Sequence, residues 1–389
     1  MSFPWKFELE RRLEVSRWVS WGVPTLSVLA AFFFGGIILS LAGAPPIETY
    51  RAMAAGAFGS ISEWADGNFF AVTETLVRAT PLIFTGLAVA MAFRMLFWNI
   101  GTEGQLVMGA IAGTWVAIYL PDLLPWLPQT RWVYIPVGII AATIAGAFWA
   151  FIPAIMKVKL GVNEIISTLM FNYIAILLYQ QLYTGPWKDP EGFGFPGSAQ
   201  FPEFSWFPKF SEIPVLNVLS GRIHFGFIIA VVIAGVLWVV MDKTRRGYEV
   251  RLLGENTNAA QYAGISVIKN VLFVMILSGG VAGIAGLSEV AGLGHRLQAG
   301  LDVGNGFTGI IVAWIAKLRP LSVVIVAILM AALFVGGDQL QISLGLPSSI
   351  SSVLQGAILL SVLSGDVFTR YRLKITRVGV GAGVVGEEA

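Results

Sequence analysis

Residues 132–156 read WVYIPVGIIAATIAGAFWAFIPAIM, a run with no charged side chain between Arg131 and Lys157. A helix crossing the hydrocarbon core of a bilayer needs about 20 predominantly apolar residues. This stretch exceeds that length, and its prolines are tolerated in membrane helices. The rest of the chain has the same character. Of 389 residues, 56% are apolar, 44 are Gly and only 12% are charged, with a mean hydropathy of +0.76. Soluble domains carry about 25% charged residues. Too little charge is present to cover a soluble surface, which excludes a disordered chain, a coiled coil and an ordinary cytosolic enzyme.

Ten stretches read as spans, at 19–42, 76–98, 102–120, 132–156, 163–184, 223–241, 269–291, 305–317, 320–337 and 348–366. The fold class expected is an all-α polytopic membrane protein of about ten transmembrane helices. With the N-terminus inside, 18 of the 25 Lys and Arg fall on the inner side. Arg51, Arg78, Arg131, Lys188, Lys209, Arg222 and Arg296 fall outside. Basic residues concentrate in cytoplasmic loops, so both termini are expected in the cytoplasm. Ala42-Gly43-Ala44 imitates a signal cleavage site, but the apolar run before it is too long for a signal peptide. Residues 1–18 form a cytoplasmic segment, 19–366 the membrane domain and 367–389 a cytoplasmic tail. Residues 185–222 form an outer cap rich in Pro, Gly and aromatics, and 242–268 a basic inner loop. Five spans on each side of residue 185 would give two inverted halves, an arrangement common among transporters.

Several chemistries are missing. The chain has no Cys and two His, which removes disulfides, thiolate metal sites and a His-rich metal centre. No Gly-Lys pair occurs, so no P-loop exists and the chain does not bind ATP by that route. A net charge of +2 offers no basic face for nucleic acid. Gly381-Ala382-Gly383-Val384-Val385-Gly386 matches the dinucleotide fingerprint G-x-G-x-x-G but sits in the tail, without a strand before it or a helix after it. Gly109 with Gly113, and Gly279 with Gly283, have the four-residue spacing that lets membrane helices approach closely.

Polar residues inside spans are costly and mark functional or packing roles. Asn99 to Gln105 form a polar turn between two spans, with Thr102 and Gln105 at the capping-box spacing. Glu164, Thr168 and Asn172 recur every four residues on one helix face, after Asn163 as a cap. Asn99, Glu103, Gln105, Glu164, Thr168 and Asn172 are therefore candidates for a solute path, or else for bonds between helices. Acids near the midplane are few and unpaired by sequence, against the relays that proton-driven carriers use. In the inner loop, Asn256, Thr257 or Asn258 caps a short helix that Gly264 ends. Ala259, Ala260 and Ala263 would give that helix a small, flat face suited to a groove in another protein.

In these segments the chain resembles the permease subunits of bacterial ABC importers of the branched-chain amino acid and ribose superfamily, most of all the simple-sugar and nucleoside permeases. Asn99-Ile-Gly-Thr-Glu-Gly-Gln105 is similar to the family's N-I-G-x-E-G-Q turn. Gly161 to Thr168 with Asn172-Tyr173 resembles its fifth-span motif, and Gly254-x-Asn256-x-x-Ala259-Ala260-x-x-x-Gly264-Ile265 its cytoplasmic loop. Gly306-Phe307-x-Gly309-Ile310-x-Val312-Ala313 and Gln355-Gly356 complete a likeness over about 75–370. Lys317-Leu318-Arg319-Pro320 departs from it, and nothing in the outer cap matches. The resemblance implies a bacterial inner-membrane subunit with no cofactor or enzymatic activity of its own. ATP and Mg would bind a separate ATP-binding subunit, docked on a coupling segment carrying Gly247, Gly254, Asn256, Ala259, Ala260 and Gly264. A second permease of the family and a periplasmic or lipid-anchored binding protein would complete the importer. The cargo implied is a nucleoside or simple sugar. The alternatives are the same architecture carrying a branched-chain amino acid or another sugar, or a secondary transporter.

Overall fold

A computed structural model of the chain describes residues 5–11, 16–214, 218–219 and 221–377. The Gly381–Gly386 match lies outside them. The described chain is helical apart from one antiparallel strand pair. Its contacts divide it into two units, residues 53–339 and the two flanks, 1–52 with 340–389.

In the flanking unit, strand β1 (Trp5–Arg11) pairs antiparallel with β2 (Tyr371–Arg377), Trp5 opposite Arg377. Apart from this ladder the described elements are helical, so the all-α class holds. Glu10 and Arg372 form an ion pair at 2.8 Å across it. Helix α1 (Arg17–Leu41) packs against α15 (Ser348–Arg370). Tyr50, at the start of α2 (Pro46–Phe58), donates from its hydroxyl to the Phe32 carbonyl at 2.7 Å.

The central unit holds α3 (Ile61–Ala65), α4 (Phe70–Phe93), α5 (Thr102–Ile118), α6 (Leu120–Leu123), α7 (Arg131–Leu160) and α8 (Glu164–Thr184). Then come α9 (Gly226–Lys243), α10 (Arg245–Glu255), α11 (Thr257–Tyr262), α12 (Val267–Glu289), α13 (Asn305–Ile315) and α14 (Pro320–Leu344). A π-helical turn, Val290–Gly294, follows α12. Among the described residues, two 3-10 turns, Glu203–Ser205 and Phe210–Glu212, interrupt the irregular segment between α8 and α9.

Seven helices among the described residues are long and apolar enough to cross a membrane, or eight if Thr25–Leu41 and Pro46–Ala65 count as one broken span. The sequence count was ten. Length accounts for much of the difference: α5 has 17 residues and α13 has 11. At 1.5 Å per residue these reach about 25 and 16 Å, short of a 30 Å core. Both are nonetheless packed into the bundle, where buried partners satisfy what lipid cannot.

The centre of the bundle is built from small residues. Helix α12 lies against α5 and α7, and its glycines are the contact points. A Cβ on Gly283 would stand 2.1 Å from the Ala142 carbonyl oxygen, and one on Gly286 1.9 Å from that of Leu106. From α5 a Cβ on Gly109 would stand 2.1 Å from the Gly283 carbonyl oxygen, and from α7 one on Gly146 would stand 2.2 Å from that of Gly279. Gly109, Gly279 and Gly283 thus report backbone-on-backbone packing, while Gly113 makes room for the Leu287 side chain. A Gly283→Ala variant is expected to lose folded, monodisperse protein in detergent, a cost of about 3 kcal/mol or more from overpacking. Gly235→Ala, on open surface of α9, should leave the melting temperature equal or slightly raised.

Candidate functional site

Three constructions in the central unit hold the residues singled out by sequence. The first is the turn between α4 and α5. Asn99 is buried and uses all four of its side-chain hydrogen-bond positions. Its Nδ2 donates to Gln105 Oε1 and to Ser278 Oγ, each at 3.1 Å. Its Oδ1 accepts from Gln105 Nε2 at 3.0 Å and from the Gly101 N–H at 3.1 Å. Ser278 on α12 passes its own proton to the Ala88 carbonyl at 2.7 Å, so one amide ties α4, α5 and α12 together. The cap of α5 is Gly101, with Thr102 the first helical residue. The capping box expected from Thr102 and Gln105 does not form, because Gln105 is held by Asn99.

Helix α8 closes on the same turn. Its cap is Asn163, whose Oδ1 accepts from Ile165 and Ile166 N–H. One turn on, Thr168 accepts from the Ile100 N–H at 3.2 Å. Asn172 Oδ1 accepts from the Gly104 N–H at 2.8 Å and its Nδ2 donates to the Ile100 carbonyl at 2.7 Å. Glu164 stands apart, in an ion pair with Lys157 at 2.6 Å. Glu103 is 1% exposed and faces α13. Its two carboxylate oxygens accept from the Gly304 N–H, at 2.9 Å, and the Gly306 N–H. Gly304 has φ +86 and gives α13 no side-chain cap. An acid from α5 therefore caps α13 in trans, where the helix dipole favours negative charge. Asn99, Glu103, Gln105, Thr168 and Asn172 are all buried. The hydrogen-bond positions traced above are spent on the chain itself, so the cluster joins α4, α5, α8, α12 and α13.

The second construction is the inner loop. Arg94, at the end of α4, makes an ion pair with Asp242 at 2.8 Å and donates from Nε to the Leu318 carbonyl at 2.8 Å. Arg251 of α10 also reaches Asp242, at 3.5 Å. Gly247 and Gly254 are tight backbone contacts, since a Cβ on either would stand 2.1 Å from the carbonyl of Met241 or Arg94 respectively. Asn256 caps α11, accepting from the Ala259 N–H at 3.0 Å, and Gly264 follows the helix at φ +77. Ala260 corrects the expected flat face: it is 0% exposed and points inward. Ala259 and Ala263 stay outside beside Tyr262, which is 95% exposed. Asn258, Ala259, Gln261, Tyr262 and Ala263 are exposed, while Ala260 is turned away, since successive helix residues point about 100° apart.

The third is the 185–225 segment. Ser198 and Gln298 hold it to the loop after α12, with the Ser198 N–H donating to the Leu297 carbonyl at 2.8 Å. Trp206 stacks on His295 at 4.0 Å, and Arg131 pairs with Glu212. His224 is buried just ahead of α9, its Nδ1 accepting from the Gly226 N–H at 3.2 Å, its ring against Gly292. Burial, helped by the charge of His295, pushes the His224 pKa down to about 4. The folded chain therefore binds fewer protons than the unfolded chain, whose His titrates near 6.5. This stabilisation is complete above pH ~6.5 and falls by ~3 kcal/mol as pH drops toward 4. A thermal unfolding series from pH 7.5 to 4.5 should show that decline, and His224→Gln should flatten it.

Among the described residues, no group of three or more His, Asp or Glu is placed to hold a metal. Sequence reasoning missed Ser278, Arg94 with Asp242, and two charged residues within spans, Arg78 and Glu289. Ser278 lies in an apolar run, and Asp242 bonds across 148 residues of sequence.

The sequence profile described as "Branched-chain amino acid transport system / permease component" matches residues 71–363. The chain belongs to that permease family. Members are the membrane-spanning subunits of ABC transporters, not enzymes, and they work with ATP-binding and substrate-binding partners. The permease is a multi-pass membrane protein. It is similar along nearly its whole length to the glucose ABC transporter permease protein TsgB13 of Haloferax volcanii, with 36% identity covering 95% of this chain and 94% of the relative. It is 33% identical to the guanosine ABC transporter permease protein NupP of Bacillus subtilis, covering 88% and 92%. It is 29% identical to the nucleoside ABC transporter permease protein NupB of Lactococcus lactis, covering 87% and 89%.

Proposed function

We propose that this permease carries a nucleoside or simple sugar into the cell as part of an ATP-driven importer. The observation that carries the reading is the near full-length similarity to permeases named for glucose, guanosine and nucleosides. The subunit sits in the cell (inner) membrane with both termini cytoplasmic, as the 18 inner basic residues favour. The ten-span, two-halved arrangement is retained as a proposal in which α5 and α13 serve as short, protein-enclosed spans. ATP and Mg bind the partner subunit, which seats on Ala259, Tyr262 and Ala263. Gly247, Gly254, Asn256, Ala260 and Gly264 give that surface its shape: cap, tight backbone approach and inward anchor. Asn99, Glu103, Gln105, Glu164, Thr168 and Asn172 form the wall of the solute path, fixing the helices that move with ATP-driven switching. A second permease of the family and a periplasmic or lipid-anchored binding protein complete the assembly.

Purification from native membranes in mild detergent, followed by mass spectrometry, tests this. Recovery of a P-loop ATPase and a second permease is expected, and any binding protein should hold a nucleoside or sugar. A binding protein loaded with a branched-chain amino acid would shift the cargo. A single species that transports without ATP would contradict the reading.

A further inference from the structure

Arg78 and Glu289 are opposite charges set within two membrane helices, α4 and α12. The two helices run antiparallel: the end of α4 and the start of α12 both adjoin α10, through Arg94 against Gly254 and Asn270 bonded to Glu249. Their register is fixed by Ser278 Oγ donating to the Ala88 carbonyl at 2.7 Å. Arg78 lies ten residues before Ala88 and Glu289 eleven after Ser278, so at 1.5 Å per residue each stands about 15–16 Å outward of that bond. Eleven residues is close to three whole turns, which returns Glu289 to the face of α12 that carries Ser278, and Arg78 is about a quarter turn from Ala88. The two charges therefore stand at about one level of the bundle, Arg78 about a quarter turn off the face that meets α12.

They are not paired in the ordinary way. Among the described residues neither makes an ion pair or a side-chain hydrogen bond. The Arg78 Nε is buried with no partner, and its guanidinium lies 5.8 Å over the Phe334 ring. Glu289 is half-buried while its neighbours from Gly279 to Ser288 and from Val290 to Gly292 are all buried. Arg78 and Arg222 attract it and Glu103 repels it. Outside it stands a satisfied pair, Arg222 on Glu74 with Nε 3.0 Å from Oε1. The π-helical turn directly after Glu289 is a feature frequent at functional sites. Ionisable groups in membranes are costly and usually mark a solute pathway.

We propose that Arg78 and Glu289 form a solute-contacting pair, the guanidinium donating to ring or hydroxyl oxygens and the carboxylate accepting from hydroxyls. Together they are charge-neutral, which suits a neutral, hydroxyl-rich solute such as a nucleoside or hexose rather than an anion or cation. The inference rests on the importer reading and names residues that meet its cargo.

The test is uptake by the reconstituted full complex with its binding protein, using labelled guanosine and glucose and their deoxy analogues. Arg78→Met and Glu289→Gln should each lower uptake about tenfold or more, while ATPase activity stimulated by the binding protein stays within about twofold. The Arg78→Met/Glu289→Gln double variant should be no better than the worse single, and discrimination against deoxy analogues should shrink. Arg78→Lys keeps the charge without the planar fork, so it should assemble normally and raise KM by about fivefold. Uptake retained by the single variants, or restored in the double, would overturn the proposal and leave the pair as internal charge balance. Uptake by the unmodified complex that ignores ATP would overturn the importer reading instead.

Discussion

Glu103→Ala is expected to cost about 3 kcal/mol of stability and most of the transport activity. The carboxylate accepts from the Gly304 and Gly306 N–H groups, deep between α5 and α13. Hydrogen bonds to charged groups contribute about 1.5–3 kcal/mol each, and leaving buried donors unpaired costs a similar amount. Removing the charge also relieves its desolvation, so the net is smaller than the sum of two bonds. Glu103→Gln should be nearly as harmful, since its amide nitrogen would face one of the two N–H donors. Melting temperature in detergent, read beside uptake in vesicles, checks both. Unchanged melting of Glu103→Ala would show that α13 does not depend on this cap.

Charge on the exposed side of α11 is expected to separate transport from folding. Ala259→Glu places a carboxylate on open surface, where stability effects stay within about 0.5 kcal/mol. In the assembled importer it should lower uptake tenfold or more and abolish stimulation of the partner's ATPase. Tyr262→Ala, removing a side chain that is 95% exposed, should weaken docking in the same direction. Ala260→Glu should behave differently. That position is 0% exposed, and an unpaired buried carboxylate costs several kcal/mol, so the variant should fail to fold rather than fold uncoupled. A normally folded Ala260→Glu would contradict the inward orientation.

Much of this was legible in the sequence because periodicity and caps are local. Asn163 before α8, Asn256 before α11 and Gly264 after it act where residue type placed them. The glycine pairs at 109/113 and 279/283 announced close packing. What the sequence withheld depends on distant partners. Asn172 bonds to Gly104 across 68 residues and Glu103 to Gly306 across 203. A polar residue on an apolar helix looks the same whether it lines a path or clasps a neighbour. Ala259 and Ala260 differ only in which way a six-residue helix turns. The length of α5 was overestimated because apolar residues continue through Tyr119 into α6, and hydropathy does not register the break.

The most direct test of the central claim is uptake of labelled guanosine and glucose into proteoliposomes holding the complete complex, with ATP present or absent and with ion gradients intact or collapsed. The account predicts accumulation that requires ATP and is indifferent to ionophores. Accumulation that persists without ATP and vanishes with the ion gradient would contradict it.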